Sequence, residues 1–138
     1  MSTATARKPR LFSGSRKTAR ATAAICPGVG RVRLNGFLAE ALPNELQREI
    51  VLAPLRLAGD YRFKVDIDVS CKGGGQMGQA YASAMAISRA LVSYTKSSDL
   101  KKRIMDYDEH MLTGDPRQAE PKKFGGPGAR RRRQKSYR

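Results

Sequence analysis

The charge of this chain is segregated by position, and that segregation limits where a core can form. Residues 1–20 carry Arg7, Lys8, Arg10, Arg16, Lys17 and Arg20 and no acid. Residues 122–138 carry eight cations and no acid, while residues 21–121 hold 13 basic residues and all 12 acidic ones. Fourteen of the fifteen net positive charges therefore lie in the two ends. Unpaired like charges resist burial, so a core must come from the nearly neutral middle. At 138 residues there is room for one domain, and removing the ends leaves about 100 residues, enough for a modest core. The organisation expected is a basic, disordered N-terminal arm over 1–14, a globular α+β domain over 15–118, and an extended basic tail over 119–138.

Several function classes are excluded at this stage. No apolar run approaches the ~20 residues that cross a bilayer. The N-terminus lacks an apolar segment behind its charges, so no signal peptide is read. An anionic membrane surface would call for bulky apolar residues opposite the cations, and the ends are rich in Gly, Pro and Ser instead. Cys26 and Cys71 are far apart and His110 is the only histidine, so a four-ligand zinc site has no basis and no metal or cofactor is expected. Both cysteines read as small buried residues in a reducing compartment.

Within the middle, Thr18–Cys26 and Arg31–Leu34 alternate and flank a Pro27-Gly28-Val29-Gly30 turn, which predicts a β-hairpin with Arg31 and Arg33 on its polar face. Asn35-Gly36 ends the second strand. Residues 43–58 predict a helix starting at Pro43, with Leu46, Ile50 and Val51 on its apolar face and an interruption or kink at Pro54. Residues 61–70 alternate with Phe63, Val65, Ile67 and Val69 to one side and Asp66 and Asp68 to the other, a strand buried on one face. A helix follows from about Gln76 to Tyr94, with a stripe of Ala80, Ala84, Ile87, Leu91 and Tyr94 and enough small residues to lie close to a sheet. Ser98 is placed to cap a last helix carrying Leu100, Ile104, Tyr107 and Met111, which Thr113-Gly114-Asp115-Pro116 stops.

Gly73-Gly74-Gly75-Gln76-Met77-Gly78 matches the G-x-G-x-x-G spacing of dinucleotide sites. Its context argues against that chemistry. The preceding strand alternates with acids rather than being apolar throughout, and Asp99 lies in a helix rather than at the end of a second parallel strand. The better reading is a tight strand-to-helix connection whose amides, beside Lys72, let a phosphate backbone come near. Asp106, Asp108 and Glu109 flank basic residues on a solvated helix face, and no hydrolytic constellation emerges.

The tail holds Lys122, Lys123, Arg130, Arg131, Arg132, Arg133, Lys135 and Arg138, with Phe124 and Tyr137 bracketing the run. Gly125-Gly126-Pro127-Gly128 forbids a stable helix. Arginine suits bidentate phosphate contacts, and the two aromatics suit stacking on unpaired bases. Without helix-turn-helix, zinc-finger or basic-zipper signals, RNA is favoured over DNA; the alternative is a generic basic nucleic-acid or chromatin binder.

Arg16-Lys17-Thr18-Ala19, Arg31-Val32-Arg33-Leu34-Asn35-Gly36, Val65-Asp66-Ile67-Asp68-Val69, Lys72-Gly73-Gly74-Gly75, Gly78-Gln79-Ala80, Ser88-Arg89-Ala90-Leu91 and Gly114-Asp115-Pro116-Arg117 occur in that order. The closing block runs from Glu120-Pro121-Lys122-Lys123-Phe124 to Gln134-Lys135-Ser136-Tyr137-Arg138. This ordered set resembles the universal small-subunit ribosomal protein nine family, in its archaeal and eukaryotic branch, over about residues 12–138. The resemblance implies a four-stranded sheet with helices packed on it and a left-handed crossover. It implies no enzymatic activity, no small-molecule substrate and a cytoplasmic, ribosome-bound protein. The partners implied are the 3′ major domain of small-subunit rRNA in the subunit head, neighbouring head proteins and the peptidyl-site tRNA. The rRNA-facing residues implied are Arg16, Lys17, Arg20, Arg31, Arg33, Lys72, Gly73, Gly74, Gly75, Arg117, Lys122, Lys123, Arg130, Arg131, Arg132 and Arg133. Lys135, Ser136, Tyr137 and Arg138 would lie nearest the tRNA.

Overall fold

The computed structural model describes residues 8–137. Five strands form one mixed sheet in the order β1 (Arg10–Arg16), β2 (Ala19–Pro27), β5 (Val65–Lys72), β3 (Val32–Leu34), β4 (Phe37–Leu38). Four helices, α1 (Glu45–Ala58), α2 (Gln76–Thr95), α3 (Ser98–Tyr107) and α4 (His110–Thr113), complete the α+β fold. The fifth strand exceeds the four expected because Asn35-Gly36 does more than end β3. Both residues adopt positive φ (51° and 86°), the geometry of a tight two-residue turn, so the chain reverses into the short edge strand β4.

Helix α2 is the centre of the structure. It packs against β1, β2 and β5 on one side and against α1, α3 and α4 on the other. Ala80, Ala82, Ser83, Ala84, Ala86, Ile87, Ser88, Ala90 and Leu91 are buried as a result, while Tyr94 is half-buried. The buried hydroxyls of Ser83 and Ser88 donate to the carbonyls of Gln79 (2.7 Å) and Ala84 (2.8 Å), so neither is left without a partner. From the sheet, Ala19, Ala21, Ala23 and Ile25 of β2 and Val65, Ile67, Val69 and Cys71 of β5 complete the core. The residues alternating with them in β2 and β5 include exposed Arg20, Thr22, Asp68, Ser70 and Lys72, so one sheet face is left open.

Residues 10–14, expected to belong to the disordered arm, are part of strand β1, paired with β2 from Arg10↔Ile25 to Arg16↔Ala19. Gly14 explains the pairing rather than breaking it. A Cβ at this position would lie 2.4 Å from the Ala82 carbonyl oxygen and 2.7 Å from the Ala86 nitrogen, so only glycine lets β1 settle against α2. The expected hairpin between β2 and β3 does not form. Strand β5 lies between them, antiparallel to β2 and parallel to β3, because its four buried residues gain partners on both sides. The loop over Val29, Gly30 and Arg31 is held across the start of β5 by Asp66, whose Oδ1 accepts all three N–H groups at 2.9–3.0 Å. Those bonds, that of Arg31 foremost, hold the Asp66 carboxyl below its ordinary pKa despite partial burial.

Other expectations shift locally. Helix α1 is capped by Asn44, whose side chain accepts from Leu46 and Gln47, and it runs unbroken past Pro54. Its buried side is Val51, Leu52, Pro54, Leu55 and Ala58, whereas Leu46 is 60 % exposed. Residues 59–64 form a 3-10 turn, leaving Phe63 exposed and starting the strand at Val65. Ser97 rather than Ser98 caps α3, and Tyr107 is exposed. Cys71 is buried as expected, and Cys26 is half-buried; both are free.

Overpacking of a full core typically costs 1–3 kcal/mol. Gly14→Val should therefore destabilise the fold by about 2 kcal/mol or more in chemical denaturation. Gly75→Ala should shift stability by less than about 1 kcal/mol, because Gly75 has φ −93° and nothing within 4 Å of an added Cβ. Equal losses in the two variants would contradict the packing described for β1.

Candidate nucleic-acid interface

Three segments distant in sequence meet at one end of the sheet. They are the β1–β2 turn at Lys17-Thr18, the β5–α2 loop at Lys72-Gly73-Gly74-Gly75, and Asp115-Pro116-Arg117-Gln118 after α4. A Cβ on Gly73 would stand 2.8 Å from the Thr18 carbonyl oxygen, and one on Gly74 would stand 3.0 Å from the Ala19 Cβ. Gln118 Nε2 donates to the Lys17 carbonyl at 3.5 Å. The meeting brings Arg16, Lys17, Arg20, Lys72 and Arg117 together with the three glycines.

The glycines divide by role. Gly73 and Gly74, both at positive φ, give room to the chain's own β1–β2 turn rather than to a ligand. Gly75 is open and caps α2 without a side-chain acceptor for the first-turn amides. A doubly wound nucleotide fold is excluded, because β5 has an antiparallel neighbour on one side.

The cations here are arranged at some cost. Lys17 occupies the left-handed region at φ 54°, which costs a residue with a Cβ about 1–2 kcal/mol. Arg20 and Lys72 are direct cross-strand partners on the open face, and neither forms an ion pair with a described residue. Like charges facing each other across a sheet are destabilising, and a bound polyanion would relieve them.

Asp115 organises the base of this cluster. Its side chain is only 3 % exposed and pairs with Arg117 Nη2 at 2.6 Å and Arg16 Nε at 3.4 Å. It also accepts from the Arg117 backbone N–H at 3.1 Å. The Arg117 side-chain hydrogen bonds, then its backbone N–H, its charge and that of Arg16, hold the Asp115 carboxyl well below the usual carboxylate range, although desolvation opposes them. Arg16 Nη1 is buried without a partner. Arg117, by contrast, keeps most of its side chain in solvent.

The remaining predicted residues lie elsewhere. Arg33 sits beside Asp68 in the β3–β5 register, roughly 13 Å along β5 from Lys72. Arg31, exposed, is two residues further away on the loop that Asp66 holds. The tail contains no helix or strand among its described residues. It is also less free than an extended chain. Arg130 pairs with Glu120 at 2.7 Å, Arg132 Nη1 donates to the Phe124 carbonyl at 2.5 Å, and the Arg133 N–H donates to the Gly125 carbonyl at 3.0 Å. Lys122, Lys123, Arg131, Arg133, Lys135, Ser136 and Tyr137 are exposed, and Arg138 lies outside the described residues.

Sequence reasoning missed Asp115 as an organiser, reading it only as part of a helix stop. The D-x-R spacing was its signal, since an aspartate two residues before an arginine can accept both its main-chain and side-chain N–H groups. Arg89 was also missed. It crosses from α2 to donate to the Ser13 carbonyl at 2.8 Å and the Leu112 carbonyl at 3.1 Å, which joins β1 to α4. Nothing local announces such a contact. Asp108, read as solvated, is half-buried and accepts from the His110 N–H at 2.9 Å.

Together these features define a class: a small α+β domain with one sheet face open, cations crowded at one end of it and a basic tail. Residues 14–138 match the family model described as "Ribosomal protein S9/S16". The chain is 52 % identical over 128 residues to "Small ribosomal subunit protein uS9" of Desulfurococcus amylolyticus, covering 93 % of this chain and 91 % of that protein. It is 51 % identical to proteins of the same name from Pyrobaculum aerophilum, over 91 % of this chain and 88 % of that one, and from Saccharolobus solfataricus, over 93 % and 94 %. This chain belongs to the ribosomal protein S9/S16 family.

The folded-state pKa of Asp115 lies below its unfolded value, so its contribution to stability is present above about pH 4 and is lost as pH falls through the folded value. Asp115→Asn should thus be less stable than the parent at pH 7, with the gap narrowing progressively below about pH 4. A gap constant from pH 7 to pH 2 would show that the carboxylate charge is not what holds Arg16 and Arg117.

Proposed function

We propose that this chain is a structural, non-catalytic constituent of the small ribosomal subunit, and that it binds rRNA of the subunit head and directs its tail toward the peptidyl-site tRNA. The observation that carries the reading is the set of unpaired cations at one sheet end, with Arg20 and Lys72 facing each other uncompensated, in a chain half-identical to proteins named for the small subunit. Phosphates of folded RNA supply the missing charge. The Lys17 turn, Lys72, Arg117 and the open α2 N-terminus meet the RNA backbone. Arg31 and Arg33, both exposed, form a second contact along the open face.

The tail adds charge that the domain does not contain. Lys122, Lys123 and Arg130 to Arg133 follow rRNA, and Lys135, Ser136, Tyr137 and Arg138 lie closest to tRNA. Glu120 releases Arg130 when phosphate takes its place; an exposed pair of this kind contributes only about 0–1 kcal/mol. Work in translation is consistent with a cytoplasmic, ribosome-bound protein whose helices are none of them long and apolar enough to cross a membrane among the described residues.

Binding of the full chain to a transcript of the 3′ major domain should weaken steeply with salt. Removing residues 119–138 deletes eight cations and should flatten the log–log slope by about 6. In the same titration Lys17→Gly should weaken binding while leaving the fold as stable or more stable, since glycine relieves the left-handed turn. A truncated domain that binds as tightly and as salt-dependently as the whole chain would remove the tail from the interface. Equal affinity for duplex DNA at matched salt would favour the generic nucleic-acid binder.

A further inference from the structure

A second cationic cluster, this one with no acid lining it, lies at the opposite end of the sheet from the Lys17–Lys72 cluster. Lys8, Arg10, Ile25, Pro27, Tyr94 and Lys96 line an open cleft of about 540 Å³ where the start of β1, the end of β2 and the end of α2 meet. None of the three cations forms an ion pair or a side-chain hydrogen bond with a described residue. The C-terminus of α2 contributes a partial negative charge of about half an elementary unit, which offsets only a fraction of three positive charges. Lys96 itself holds φ 51° at the helix end, a position where glycine or asparagine would be easier. Three uncompensated cations, one in a strained backbone, surround a cleft with an apolar floor and a half-buried tyrosine wall.

We propose that this cleft is a second RNA-backbone site, and that the domain braces two separate segments of the same RNA, one at each end of its sheet. The proposal rests on the rRNA-binding reading above and extends it to a surface which that reading does not use. Strand β2 spans nine residues from Ala19 to Pro27, so the two clusters stand roughly 25 Å apart. The Arg20–Lys72 pair and this cleft lie at opposite ends of the nine-residue strand β2, so an RNA strand bound at the first reaches the second only by running the whole length of the sheet. Lys8 and Lys96 contact phosphate as point charges, Arg10 contacts it through its planar fork, and Tyr94 packs on sugar or base. The fold is suited to this work. The sheet gives a rigid spacer, and α2, buried along its length, fixes Lys96 relative to Lys72.

The test uses the full chain and a 3′ major domain transcript, with salt titration and hydroxyl-radical footprinting of the RNA. A triple Lys8→Gln, Arg10→Gln, Lys96→Asn variant should flatten the log–log salt slope by about 2–3 and lose protection in one RNA segment. Lys72→Gln should lose protection in a different segment. Lys96→Asn alone, which keeps the left-handed backbone without the charge, should show a smaller loss in the first segment and an unchanged melting temperature. Unchanged slope and footprint in the triple variant would overturn the brace while leaving the rRNA reading intact. Loss of the same segment in both variants would reduce it to one continuous site. No footprint with the parent protein would overturn both readings together.

Discussion

Everything in this molecule depends on how closely α2 lies against β1 and β2. Gly14 meets the backbone of Ala82 and Ala86 with no room for a Cβ, and the alanines and serines of α2 continue that approach along the helix. A helix packed this way keeps little polar surface of its own, and its Arg89 is taken up by the Ser13 and Leu112 carbonyls. Its serines turn their hydroxyls back onto its carbonyls, and its neighbours are apolar nearly throughout. The helices accordingly occupy one face of the sheet and leave the other open. Apart from the solvent sides of α1 and α3, charge is then left to that open face, to the turns at the sheet ends and to the terminal segments. Segregation of charge in the sequence and in space is one constraint seen at two levels.

The parts legible in the sequence are those governed by local periodicity. The span of α2 and the alternation in β5 follow from residues close together in the chain, as does the lack of helix or strand among the described residues of the tail. The parts that were not legible depend on choices between distant partners. Strand β1 carries Arg10 and Arg16 and reads as an arm until α2 is there to accept Gly14. The β2–β3 pairing lost to a β5 that buries four side chains between them, a competition no turn motif reports. Pro54 stays within α1 because it is buried against the core, and tertiary packing there outweighs one missing N–H.

The candidate site shows the same division. The cations were visible as cations, since acid-free stretches need no structure to be noticed. What the sequence hid was their arrangement: Asp115 holding Arg16 and Arg117, the glycines sheltering the β1–β2 turn, and Arg31 and Arg33 standing well away from Lys72. Asp115 makes Arg16 largely a structural group and leaves Arg117 the more exposed of the pair. A basic residue count alone treats the two as equal.

The central claim is that an RNA supplies the counter-charge this fold lacks, and that it is the RNA of the small-subunit head. The most direct measurement is cross-linking of the protein to RNA in its own cells, with the attached RNA sequenced and the linked residues mapped by mass. Head-domain rRNA joined to Lys17, Lys72 and the tail, together with tRNA anticodon stems joined to residues 134–138, is the expected result. Scattered transcripts or DNA, with no enrichment of head rRNA, would contradict it.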